Sequence, residues 1–401
     1  MNKSILKCIF LFSGIVLLSC CSIKSPNRTE IVELKLPFYD NDEHILNMSE
    51  FVDSIRYIHL ETNPDNIIGE VGKVMCLDDK IIIVDDMFTH AVFFFDMQGK
   101  YLNKIAHRGS GPDEYVKIKS VSIDEKGKRV FILDTNQQRI VVYAFDGQYI
   151  SSVKVDFSCF DIQYMENDVL ACYCDYYTGN DLMVKNNQVP LIVLYNINDQ
   201  EKKPYLYEDI SIEGRETTMA YMLSKYVRDL ASFTHPLSSC IYIIDSQQVK
   251  EGYLIDFGEK NERSKQAYVK LLKEENITAE RIIKENLRPD YKMLTGSMLG
   301  DAFMSFGYRN FDKQINGMFF YDLKSGKMVG GQSVEKWPIH NDIDNGYPVI
   351  PYAVRDNHIF TVIDVGSISE LNTTSSVLKQ YQQTLTSDDN PIIMISTINI
   401  K

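Results

Sequence analysis

The chain has 401 residues, too many for one small core and enough for one large domain or two. Lys and Arg total 42 against 55 Asp and Glu, for a formal net charge of -13. So acidic a surface repels a phosphate backbone, and no basic run interrupts it, which argues against nucleic-acid binding. The apolar and charged shares, 44% and 24%, are those of an ordinary globular protein. A supply of 24 Tyr and 20 Phe beside the single Trp337 leans toward strands.

In chain order, Lys3 and Lys7 precede an apolar run from Ile9 to Leu18, the layout of a secretory signal and too short for a comfortable membrane span. The run ends in Leu17-Leu18-Ser19-Cys20, which resembles a bacterial lipobox, with Cys20 as the residue that receives lipid. An ordinary secretory signal containing cysteine is the alternative. The expected organisation is a signal peptide and lipobox over 1–20, a linker over 21–30 and a folded domain over 31–401. Acylation of Cys20 would anchor the domain to a membrane of the cell envelope, at its periplasmic or surface face. The six later cysteines, 21, 76, 159, 172, 174 and 240, read mostly as small buried hydrophobes.

An internal repeat follows. Ile82-Ile83-Val84-Asp85-Asp86, Ala91 to Phe95 and Gly99-Lys100-Tyr101-Leu102 recur 48 residues later as Val130 to Asp134, Ile140 to Tyr143 and Gly147 to Ile150. Asp86 to Gly99 and Asp134 to Gly147 each span thirteen positions, and Asp245 to Gly258 gives a third match. Phe319 to Lys327, Ile359 to Asp364 and Val169 to Tyr195 are weaker echoes. Each unit reads as an apolar strand ending at Asp, a second strand, a Gly turn and a third strand. With a strand before it (Gly69 to Cys76, then Ile118 to Ile123) the unit has four strands. Four strands in 40 to 50 residues is the mark of a propeller blade, and six units are expected to stack in a ring.

The segment His107 to Tyr115, His-Arg-Gly-Ser-Gly-Pro-Asp-Glu-Tyr, resembles the inter-blade link of NHL-type propellers. Together with Asp53 to Thr62 and Ile68 to Val74, it is similar to the six-bladed β-propeller lipoproteins of Bacteroides-like bacteria. The resemblance implies an all-β, six-bladed propeller, exported and lipid-anchored. For closure, Thr29 to Leu36 and Ile393 to Ile400 both alternate, so one of these strands is expected to complete a blade begun by the other end of the chain. Residues 260–288 break the pattern: Ala267, Tyr268, Leu271 and Leu272 fall at helical spacing before Pro289. They predict a small helical insertion between blades four and five, either covering a blade edge or capping a binding mouth.

No phosphate loop, paired-His motif or nucleophile elbow is present, and neither a cofactor nor a metal ligand set is read from the sequence. The binding candidates are His107, Arg108 and Tyr115 at the inter-blade link, Tyr176 and Tyr177 in a blade-three loop, and Arg309. Against them stands a plain structural role, with Arg108 and Glu114 tying adjacent blades together. Asp86, Asp134, Asp245 and Asp364 repeat around a ring and so predict turn capping rather than a calcium site. The favoured reading is a non-enzymatic module binding a glycan, peptide or protein; the alternative is a metal-dependent hydrolase or lyase of lactonase type.

Overall fold

The computed structural model describes residues 31–37, 43–174, 184–209, 224–227, 230–274, 276–285, 287 and 290–400. Six antiparallel sheets of four strands make the blades of a β-propeller. Blade one runs outward through Lys73–Cys76, Lys80–Asp85, Ala91–Asp96 and Tyr101–Ile105, and blade two through Ser120–Asp124, Arg129–Asp134, Arg139–Ala144 and Tyr149–Lys154. Blade three comprises Asp161–Tyr164, Val169–Tyr173, Gln188–Asn196 and Lys202–Asp209, and blade four Ser224–Val227, Leu230–Thr234, Cys240–Ile244 and Val249–Asp256. Blade five comprises Met293–Leu299, Phe303–Asn310, Ile315–Asp322 and Met328–Val334.

Blade six takes three strands from the end of the chain, Ala353–Arg355, His358–Ile363 and Ile392–Ile398, and its outermost strand, Val52–His59, from the beginning. The two chain ends thus share a blade as expected, but the N-terminal partner lies further along the chain than Thr29 to Leu36. Residues Val32–Lys35 instead add a fifth, parallel strand to the outer edge of blade four, Val32 opposite Tyr253. The chain then crosses blade five, where His44 bridges Gln332 and Leu46–Asn47 pairs with Ile339–His340, before entering blade six. One N-terminal belt therefore spans three blades and covers sheet edges that would otherwise stay open.

The apolar runs are continuous because both faces of a blade are covered. In blade one Ile82, Val84, Val92 and Phe94 pack against Val121, Ile123 and Val130 of blade two. The alternate residues Ile81, Ile83, Phe93 and Phe95 pack against Phe360, Ile393 and Ile395 of blade six. Successive side chains of a strand point to opposite faces, so each strand serves two interfaces.

The turn after the second strand carries the capping carboxylate, but in blade one Asp85 does the work expected of Asp86. Its buried carboxylate accepts from the amides of Met87, Phe88 and Thr89 and from Gly69 and Glu70 of the incoming link. Asp134 does the same with Asn136 and Gln137 in the turn and Val116 in the link. The blade-one turn is one residue longer, which made Asp86 look equivalent: Asp85 pairs with Ala91, Asp134 with Arg139. Asp364 caps the short helix Val365–Ile368 by accepting from Gly366. Asp245 belongs elsewhere. It follows a third strand and accepts from Gln247 and Gln248, as Asp96 accepts from Gln98 and Lys100. Its spacing to Gly258 is a coincidence of phase, since Gly258 opens a helix. Gly99, at φ 84, is different: a Cβ there would lie 2.2 Å from the His59 carbonyl oxygen of the closing strand.

The helices Glu259–Leu272 and Ala279–Lys284 stand between blades four and five as expected. Tyr268, Leu272, Ile277 and Ile282 are buried against Phe233, Ile244, Tyr291 and Met293. That is the covering role. A helix the pattern did not announce, Ser376–Thr384, lies between the second and third strands of blade six and buries Leu378.

Burial pushes the Asp85 carboxyl up, but hydrogen bonds from Phe88, Thr89 and Gly69 outweigh it and hold it below its ordinary value. A lowered carboxyl contributes stability above its unfolded value and loses it as pH falls through the folded one. Asp85→Ala is expected to cost about 1–3 kcal/mol at neutral pH. Denaturant melts should show its gap to the wild type narrowing below pH 3.8.

Candidate functional site

Each first strand runs toward one end of the ring axis and turns there into the second strand. These turns carry polar residues that the core has no use for. Asn167 and Asp168 sit at φ 57 and 59, the left-handed conformation of a tight hairpin that Asn and Asp tolerate; Asp356 at φ 52 opens the matching turn of blade six. The turns of blades six, one, two and three converge on a cavity of about 510 Å³ lined by Asp78, Asp124, Glu125, Glu166 and Arg355, with Ile123 and Met165 beneath. This is the mouth of the channel at the first-turn end.

Its geometry is set by two arginines. Arg355 donates through Nη1 to Glu125 Oε2 at 2.8 Å and through Nη2 to Oε1 at 3.0 Å, and Nη2 also reaches Asp78. One side chain from blade six thereby binds blades one and two across the mouth. Burial works against its charge, while Glu125 and Asp78 hold the guanidinium protonated. Arg129 lies behind, donating to Asp124 at 2.7 Å and Asp168 at 2.6 Å. Its guanidinium covers the rings of Phe131 and Tyr164, 5.3 and 5.5 Å from their centroids. Burial raises the Asp168 carboxyl, but Arg129 and Asn198 draw it below its ordinary value. Lys126 reaches Glu166 at 2.9 Å. The cavity wall thus carries four carboxylates, Asp78, Asp124, Glu125 and Glu166, against two cations, Lys126 and Arg355, and the mouth keeps a negative surplus. Among the described residues no three His, Cys, Asp or Glu side chains are grouped to hold a metal ion.

The residues singled out from sequence lie elsewhere. His107 and Arg108 are exposed on the opposite end of the ring, where inter-blade links meet the turns after the second strands. His107 stacks on Tyr143 with centroids 5.3 Å apart, and Arg108 Nε donates to the Val116 carbonyl at 3.3 Å. Tyr115 is corrected: it is fully buried between blades one and two, and its hydroxyl donates to the carbonyls of His90 at 2.7 Å and Ile105 at 3.2 Å. It cannot stack on a ligand because blade packing uses both its faces. The expected Arg108–Glu114 tie is replaced by Arg139, which donates to the carbonyls of Gly111 and Pro112. Glu114 accepts from the Gly111 amide within the link. Arg309 lies along Phe311, 4.7 Å from its centroid, and donates to Gln314 at 3.1 Å. Cys20, Tyr176 and Tyr177 lie outside the described residues. The mouth residues escaped notice because each belongs to a short polar turn; only their common phase, between first and second strands, marks them.

Fold and mouth together define a six-bladed propeller that gathers turns from successive blades around one opening. The family described as "Domain of unknown function (DUF4934)" matches residues 30–397, and the chain belongs to it. No curated protein matches. Among solved structures, an exported protein of Bacteroides fragilis is similar at 15% identity and a TM-score of 0.66, over 92% of this chain and 100% of that one. A member of the DUF4221 family from Bacteroides vulgatus is similar at 6% identity and a TM-score of 0.49, over 89% and 99%. The first likeness, at that identity, shows the fold alone. Among the described residues no helix is long and apolar enough to cross a membrane.

Tyr115→Phe should cost about 1 kcal/mol of stability, the usual worth of a buried hydrogen bond, measurable by urea denaturation. A loss of ligand affinity with no loss of stability would contradict its structural role.

Proposed function

We propose that the chain is a binding protein of the cell envelope, lipid-anchored at Cys20, whose first-turn mouth receives a cationic segment of a peptide or protein partner. The observation that carries this reading is the convergence of four blades on a cavity of about 510 Å³ whose wall has more carboxylates than cations. That volume is within the usual range of roughly 300–1,000 Å³ for ligand sites. A negative rim attracts a cationic partner and speeds its approach. The signal-like start and lipobox of the chain, and the likeness to an exported Bacteroides fragilis protein, support the envelope address.

The enzyme alternative, a metal-dependent hydrolase or lyase, needs several ligands pointing at one place, and no observation favours it over binding. The test is titration of the mature domain with a Lys/Arg-rich peptide and an uncharged control. Glu166→Gln combined with Glu125→Gln is expected to weaken the basic peptide at least fivefold, with circular dichroism checking the fold, and added salt should weaken it further. Equal binding of the uncharged peptide, or indifference to both substitutions, would contradict the reading. For the anchor, Cys20→Ala should move the protein from the membrane fraction to the soluble one; unchanged partitioning would contradict lipidation.

A further inference from the structure

The other end of the ring holds a second cavity, of about 400 Å³, between two successive inter-blade links. One wall is the link into blade two, with Lys117 and Lys119; the other is the link into blade three, with Phe157 and Phe160. The turn after the second strand of blade two, Thr135 to Gln138, closes one side, and Leu133, Val155 and Cys159 form an apolar floor.

In a protein of net charge -13, this wall has no carboxylate at all. Among the described residues neither lysine forms an ion pair; Lys119 lies over the Phe160 ring, 5.3 Å from its centroid. Both exposed lysines stand on backbone that is already fixed. The Val116 amide is held by the buried Asp134 carboxylate at 2.8 Å, and the Lys119 amide donates to the Leu133 carbonyl at 2.9 Å. The facing wall is fixed too: Val155 donates to the Gln138 carbonyl at 2.8 Å, and the Phe157 ring meets Tyr195 edge-on at 5.3 Å. Two cations, two aromatic rings and the amides of Asn136 and Gln138 therefore look into one preformed cleft, with the hydroxyls of Thr135 and Ser158 beside them.

We infer that this cleft binds an acidic saccharide of one or two rings. Its carboxylate or sulfate would meet Lys117 and Lys119, the C–H face of a ring would lie on the phenylalanines, and ring hydroxyls would meet the amides and hydroxyls. A lone inorganic anion uses the lysines and wastes the rings; an aromatic acid uses the lysines and the rings but makes no use of the Asn136 and Gln138 amides. A sugar carrying a negative charge uses all three groups. The inference is independent of the channel mouth, which lies at the opposite end and carries the opposite charge.

The experiment is calorimetric titration of the mature domain with galacturonic acid and its dimer, galactose 6-sulfate, neutral galactose and inorganic phosphate. At least one acidic sugar should bind saturably, at least tenfold more tightly than both galactose and phosphate. Comparing uronate with sulfate identifies which anion is preferred. Lys117→Gln with Lys119→Gln should weaken that sugar tenfold or more without changing the thermal midpoint, and Phe160→Ala should weaken it independently. The basic peptide of the first-turn mouth should bind the double lysine variant unchanged. Absence of saturable binding by every acidic sugar overturns the inference. So does phosphate binding as tightly as the sugars, or binding that survives the loss of both lysines.

Discussion

The constraint on which everything else rests is that a blade has two apolar faces and can cover neither alone. Period-two alternation turns that liability into a ring: Phe94 of blade one is committed to blade two, and Phe93 beside it to blade six. Each apolar layer is therefore shared by two blades, as Phe131 and Leu133 of blade two share theirs with Cys172 and Val193 of blade three. Removal of one strand leaves two neighbours exposed. Stacking of this kind has no natural end until the circle closes.

Closure uses the chain's own beginning. Val52–His59 runs antiparallel to Ile392–Ile398 over seven register partners from His59 to Val52, so the ring is locked by residues more than three hundred apart in sequence. Upstream, the belt through Val32–Lys35, His44 and Leu46–Asn47 spreads the same segment over blades four and five. Exposed edges invite pairing with other chains, and the belt occupies one of them.

Those two ends differ in chemistry. At the first-turn end, Arg355 ties Glu125 to Asp78 while Glu166 and Asp124 add to the carboxylates around it. At the other, Lys117 and Lys119 stand in a cleft without acids. Salt damps the field of an exposed charge over ~10 Å, so the field at each end is set mainly by the charges nearest to it. The two ends therefore differ in local sign, whatever the protein's overall charge.

The sequence by itself determined the repeating unit, and with it the propeller, because burial on both faces writes unbroken apolar runs such as Ile81 to Val84 and Phe93 to Phe95. The helical insertion was equally legible from the spacing of Tyr268 and Leu272. Phase was harder: Asp86 stood in for Asp85 because one extra turn residue is invisible to counting, and Asp245 matched by distance while belonging to a different turn. Closure was half legible, since alternation marks a strand but does not name its partner. The sites were the least legible part. Asp78, Glu125, Glu166 and Arg355 come from four blades, and only the ring brings them together; Lys117 and Phe160 meet only because two links run side by side. Local pattern reflects what a residue needs from its nearest neighbours, whereas a site depends on which distant turns the closed circle sets around one axis.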